Sequence, residues 1–171
     1  MKNYIPIVFG FIAVLLLILR YKHVKPEKNT YVEPKVIDIN YISNNIYLGS
    51  HEALLYPKIL KQKNITHILT INELFTPHYI QQQFIHKQIP IKDHPEENIT
   101  KIIPEALKFI YSSDTILIQC VAGRSRSPSI VISYLMHKYN ISFDEAYSFV
   151  SKKRNININD GFVQQLQKIE I

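Results

Sequence analysis

Hydrophobic residues are distributed along this chain in two ways. From Tyr4 to Leu19 they form one uncharged block, YIPIVFGFIAVLLLIL, and from Val36 onward they recur in short runs and helical stripes. The block is apolar on every face, which predicts an anchor helix rather than a core helix. At ~1.5 Å per residue its sixteen residues reach ~24 Å, slightly short of a ~30 Å hydrocarbon core. Snorkelling by Lys2 and Arg20, with Tyr21 at the interface, closes the gap. A cleaved signal peptide is the competing reading. Against it, the region before the block carries one lysine, and a basic RYKHVKPEK segment stands where a small-residue cleavage site would be. Residues 1–20 are therefore expected to be an uncleaved, single-pass transmembrane anchor. Arg20, Lys22, Lys25 and Lys28 follow the block while Lys2 alone precedes it, so the C-terminal bulk should face the cytoplasm. The sequons at Asn64, Asn98 and Asn140 are read as chance in a chain rich in Asn and Ile; glycan on any of them would reverse that orientation. Residues 21–36, charged and holding Pro26 and Pro34, read as a linker. Residues 37–171 remain as the globular part.

Within it, apolar runs predict strands at 45–48, 67–71, 84–91 and 115–119. Helical stripes begin at Pro104, which suits a first helical position and leads to about Ser112, and at Pro128, running through IVISYLMHKY. A third starts at Ser142, where Ser142 and Glu145 match a capping box. A fourth follows Gly161, and a short one covers 52–62. Strands alternating with helices predict an α/β fold, a central mostly parallel sheet flanked by helices.

Composition narrows the chemistry. The net charge of +6 suits either nucleic acid or anionic substrates. No Arg/Lys stripe interleaved with aromatics and no recognition-helix pattern supports the first, so no nucleic-acid partner is expected. The single cysteine, Cys120, has no partner in the chain for a disulfide. Seven histidines are scattered without metal-ligand spacing, so neither a metal nor another cofactor is expected.

The segment with the most chemistry is Thr115-Ile-Leu-Ile-Gln-Cys120-Val-Ala-Gly-Arg-Ser-Arg126-Ser-Pro-Ser129. A buried strand ends at Cys120 and a helix begins near Pro128. A loop turning from strand into helix N-terminus aims successive backbone N–H groups into one concavity, and the helix dipole favours an anion there. Val121, Ala122, Gly123, Arg124 and Ser125 would supply those groups. Gly123 permits the tight turn, and Arg126 offers a planar fork matched to two phosphate oxygens. Helix N-termini and nearby cations favour the thiolate form of cysteine. Cys120 is thus expected to attack phosphorus in line, with Ser127 hydrogen-bonded to the sulfur to make it a better leaving group. A lone Cys with Arg six positions on would be weak evidence; strand, Cys, Gly, Arg, Ser and a Pro-started helix together are specific.

Residues from about Val36 onward resemble the dual-specificity branch of the cysteine-based protein tyrosine phosphatase superfamily. The segments that carry the resemblance are Asn45-Ile-Tyr-Leu-Gly-Ser50, Ile65-Thr-His-Ile-Leu69, Ile89-Pro-Ile-Lys-Asp93, Cys120 to Ser127, Ser133-Tyr-Leu-Met136, and Asn159-Asp-Gly-Phe162 with Gln165-Leu166. The resemblance implies a nucleophilic Cys120, a phosphate-binding Arg126, a hydroxyl at Ser127 and an aspartic general acid on an earlier loop. Of Asp38, Asp93 and Asp114, Asp93 fits best, in the loop between the strand ending at Ile91 and the helix opened by Pro104. It would protonate the leaving oxygen and later deprotonate the attacking water. Asp38 suits a strand start and Asp114 a turn. One departure is plain: the family usually has His before the nucleophile, and here it is Gln119. A neutral amide hydrogen-bonds backbone near the loop for ~1 kcal/mol but carries no charge, which predicts a shifted pH optimum. Arg124 is either a basic pocket rim or a solvated surface arginine.

Three readings follow. A shallow pocket of this type implies phosphotyrosine and phosphoserine/threonine proteins as substrates, at a membrane surface. A lipid phosphatase of phosphatidylglycerophosphate or phosphoinositide type is the alternative, because Ala122-Gly-Arg-Ser-Arg126 also resembles that loop. A non-catalytic phosphate-binding module is disfavoured by the presence of Cys120, Arg126, Asp93 and Ser127 together.

Overall fold

The computed structural model describes residues 37–169. The apolar block at 4–19, expected to be an anchor, lies outside them, as does the linker up to 36. Among the described residues no helix is long and apolar enough to cross a membrane.

Five strands form one mixed sheet: β1 (Ile39–Ser43), β2 (Ile46–Ser50), β3 (His67–Thr70), β4 (Ile85–Gln88) and β5 (Ile116–Cys120). Their spatial order is β1-β2-β5-β3-β4. Only β1 runs antiparallel to its neighbour; β2, β3 and β4 are all parallel to β5 or to each other. The central β5 is buried along its whole length, as a strand covered on both faces must be. Its alternating residues divide the interior. Ile116 and Ile118 face the larger core, under the helices α3 (Ile103–Tyr111), α4 (Arg126–Tyr139), α5 (Phe143–Ser151) and α6 (Asp160–Gln167). Leu117 faces a smaller core with Leu60, Ile68, Ile80 and Phe84, covered by α1 (Pro57–Gln62) and α2 (His78–Gln83).

Several expectations are corrected. The β1 strand was not among the apolar runs, although Asp38 just before it suits a strand start: only Ile42 of its five residues is fully buried, so it carries almost no alternation. Asn45, expected to open a strand, instead joins Asn44 in a turn with both φ values positive, 45° and 62°. Asn tolerates that conformation, and a two-residue turn of this kind suits the twist of a hairpin. The helix expected over 52–62 is split by Pro57 into a 3-10 turn, His51–Leu55, and α1. The strand expected over 84–91 shortens to β4, and α2 was not expected at all. The helix placed from Pro128 begins two residues earlier, at Arg126, and the last begins at Asp160. The capping box at Ser142 and Glu145 forms in full.

Candidate active site

Parallel strands deliver their C-terminal ends to one edge of the sheet, and Cys120 is the last residue of the central one. From there the chain turns through Val121–Ser125 into α4, whose residues from Arg126 to Met136 are all buried. Gly123 makes the turn possible. Its φ is +64°, and a Cβ there would stand 2.4 Å from the Gly49 carbonyl oxygen, so both conformation and space demand glycine. On the outside of the loop, His51 N donates to the Val121 carbonyl (3.1 Å) and Asn157 N to the Arg124 carbonyl (2.8 Å). With those carbonyls held outward, the loop's N–H groups are left for the concave side.

Cys120 is buried, and the Ser127 hydroxyl donates to its sulfur at 3.2 Å, as expected from sequence. Arg126 is also buried. Its Nη1 donates to the Ile91 carbonyl at 3.1 Å, its Nε lies 3.7 Å from Asp93 Oδ2, and that buried Nε has no hydrogen bond. Asp93, the expected acid, does come to the loop. Its Oδ1 accepts from Ser125 Oγ at 2.6 Å and from Asn159 Nδ2 at 2.8 Å. The structure thus brings Cys120, Arg126, Ser127, Asp93 and the whole 121–125 loop together. Asp38 and Asp114 lie elsewhere in the fold, Asp38 just before β1 and Asp114 between α3 and β5. Arg124 is exposed, with its carbonyl turned to Asn157.

Two further groups matter that residue-by-residue reading did not assign. Arg154 is buried and grips the loop from behind: Nε donates to the Gly123 carbonyl (2.7 Å) and Nη2 to the Ala122 carbonyl (3.2 Å). Asp38 and Asn40 hold the same guanidinium at 2.8 Å. Hydrogen bonds from Arg154 keep the Asp38 carboxyl below the usual aspartate range, against the opposing effect of burial. Lys152-Lys153-Arg154 looks in sequence like one basic run, and nothing in it marks the third residue as buried. The second group is the start of α6. Asn159 holds Asp93 directly, a Cβ on Gly161 would come within 2.0 Å of the Pro95 carbonyl oxygen, and Gln165 bonds both Ile99 N (2.9 Å) and the Glu97 carbonyl (2.8 Å). The Asn159-Asp-Gly-Phe162 and Gln165 segment therefore fixes the loop that carries Asp93.

Gln119 departs from expectation. Its amide does not reach backbone; Nε2 donates to the Thr70 hydroxyl at 2.6 Å.

This arrangement of strand end, turn, arginine and helix has known counterparts. Residues 46–171 match the dual specificity phosphatase catalytic domain. The chain belongs to the dual specificity phosphatase family. As a member it is a phosphoric monoester hydrolase of the protein phosphatase kind. Dual specificity protein phosphatase 1B of Arabidopsis thaliana is 34% identical over 138 residues, covering 78% of this chain and 82% of the relative. Among solved structures, the human tyrosine phosphatase-like serine/threonine/tyrosine-interacting protein is 31% identical, with a TM-score of 0.73 over 78% of this chain and 95% of the other. The crystal structure of DUSP15 gives the same TM-score of 0.73 at 29% identity, over 78% and 87%. Dual specificity phosphatase membership accounts for the mixed sheet and for the loop between β5 and α4.

Proposed function

We propose that this phosphatase works through a covalent phosphocysteine on Cys120, with Arg126, Asp93 and Ser127 in distinct roles. The observation that carries the reading is the Ser127 hydroxyl 3.2 Å from Cys120 Sγ, at the mouth of a loop whose carbonyls are tied outward. The phosphoryl group sits over the sulfur, in the cradle of the 121–125 amides. Arg126 turns its buried, unbonded Nε and neighbouring N–H to two phosphoryl oxygens, which satisfies a donor that is costly to leave unpaired. The thiolate attacks phosphorus; the S–P bond forms as the P–O bond to the substrate breaks, and Asp93 gives its proton to the departing oxygen. Water then attacks phosphorus, Asp93 takes its proton, and the S–P bond breaks to return thiolate and inorganic phosphate. Ser127 stabilises the sulfur anion as it leaves.

The named relatives are protein phosphatases, and this supports phosphoprotein substrates over the phospholipid alternative. The apolar block at 4–19 supports a membrane tether with the catalytic domain on the cytoplasmic side. The test is hydrolysis of an aryl phosphate by the full chain beside Cys120→Ser and Asp93→Asn. Turnover abolished in the first and reduced in the second is expected; equal rates in all three would overturn the reading. Phosphopeptides should then be turned over faster than phospholipid micelles, and the reverse order would favour a lipid substrate.

A further inference from the structure

Gln119, immediately before Cys120, is wholly buried. Its Nε2 donates to Thr70 Oγ1 at 2.6 Å, and Thr70 Oγ1 lies 3.0 Å from His86 Nε2. A hydroxyl that accepts from an amide still has its own proton to give. That proton can pass onward to His86 Nε2 when the His86 ring carries its own proton on Nδ1. At the opposite end, Gln119 Oε1 is buried without a conventional hydrogen-bond partner, and so is His51 Nδ1. One is an acceptor, and the other is a ring nitrogen that carries a proton in one neutral tautomer. Burial lowers the pKa of the His51 imidazole and so favours its neutral form, with the Gln119 side chain opposing that shift in part. The main chain of His51 meanwhile donates to the Val121 carbonyl at 3.1 Å. His51 follows β2, Gln119 lies on β5, Thr70 on β3 and His86 on β4, which is the order of those strands across the sheet.

We propose that His51 is a positioning residue for the nucleophile, its ring donating to Gln119 Oε1 and its backbone to the Val121 carbonyl. Residues on both sides of Cys120 are then held from one point. The string His51–Gln119–Thr70–His86 runs with a single donor direction beneath the loop. None of its members touches the phosphoryl group; they act through the backbone that carries Cys120 and the first loop amides. A buried string of this kind orients sharply because each bond left unmade exposes a desolvated polar group to cost. In this chain it replaces the histidine that the family pattern places at 119.

The inference rests on Cys120 being the nucleophile, and the test separates the two. Aryl phosphate hydrolysis by the full chain is compared among His51→Leu, His51→Asn, Thr70→Val, Thr70→Ser and the double variant His51→Leu/Thr70→Val, with Cys120→Ser as blank. The Asn side chain sets an amide N–H close to where Nδ1 stands. Losing one bond of the string should lower kcat ~10-fold in His51→Leu and in Thr70→Val while KM moves less than ~2-fold. His51→Asn and Thr70→Ser should recover to within ~3-fold of the parent, and the double variant should be far less impaired than the product of the single losses. Parent-level kcat in His51→Leu, an Asn variant as slow as the Leu variant, or losses that multiply would each overturn the proposal. If His51→Leu does not fold, His51→Ala against His51→Asn decides by the same criterion. An inactive parent, or an active Cys120→Ser, would instead refute the nucleophile itself.

Discussion

In the proposed mechanism Ser127 and Asp93 divide the reaction between them, and the separation of their roles makes each one testable. Ser127 bonds the sulfur, so its role belongs to the second half-reaction, when the thiolate leaves. Hydrogen bonds to charged groups contribute about 1.5–3 kcal/mol, so Ser127→Ala should slow phosphocysteine breakdown about 10- to 150-fold. Rapid-mixing kinetics should then show a burst of one leaving group per enzyme followed by slow turnover. A variant without a burst, with both phases slowed alike, would place Ser127 elsewhere in the mechanism. Asp93→Asn should lower kcat by about 10²–10⁴ for a phosphopeptide, and by much less for an aryl phosphate whose leaving oxygen needs no proton. Equal losses on both substrates would remove Asp93 from the acid role. In the structure its carboxylate is already held by Ser125 and Asn159, so the loop needs little rearrangement to deliver it.

Between β5 and α4 the decisive feature is how the loop is braced from outside. Arg154 ties two of its carbonyls to Asp38 and Asn40 at the sheet edge. Because hydrogen bonds from Arg154 hold the Asp38 carboxyl low, the folded state binds fewer protons there than the unfolded chain does near pH 4. The stabilisation is therefore present above the unfolded value of about 3.9 and is lost as pH falls through the lower folded one. The Asp38 side chain is 46% exposed, so screening keeps the effect small, on the order of 1 kcal/mol or less. Thermal midpoints of the parent and Asp38→Asn should differ at neutral pH and converge below about pH 4. A gap that widens on acidification would contradict this account. Gly123→Ala tests the same brace from within: at φ +64°, with the Gly49 carbonyl in the way, it should abolish turnover even in protein that remains folded.

How far these elements could be foreseen varied with their surroundings. Strand β5 and helix α4 were legible because β5 is buried throughout and α4 without a break as far as Met136, and the capping box at Ser142 is a local code that reads directly. The edge strand β1 and the six-residue α2 were not, because each buries a single residue fully and leaves no periodic trace. Cys120, Arg126 and Ser127 were placed by adjacency in one loop. Asp93 needed the family resemblance, since its contacts with Ser125 and Asn159 span 32 and 66 positions. Arg154 was missed because its partners at Asp38 and Asn40 lie 116 and 114 residues away.

Across the whole chain, a folded phosphatase domain follows an apolar block and a basic, proline-containing segment. The tether proposed from that block predicts that the full chain sediments with membranes after an alkaline wash, and that deleting residues 1–36 releases an active enzyme. Full-length protein recovered entirely in the wash would exclude an integral anchor. The central claim is chemical, and one experiment reaches it: acid quench of the Ser127→Ala variant during turnover of a phosphopeptide, followed by mass spectrometry of the peptide containing Cys120. The account predicts one added phosphoryl group on Cys120, formed before steady-state release of phosphate and absent from Cys120→Ser. Turnover with no phosphoryl group on that cysteine, or with the label on another residue, would contradict it.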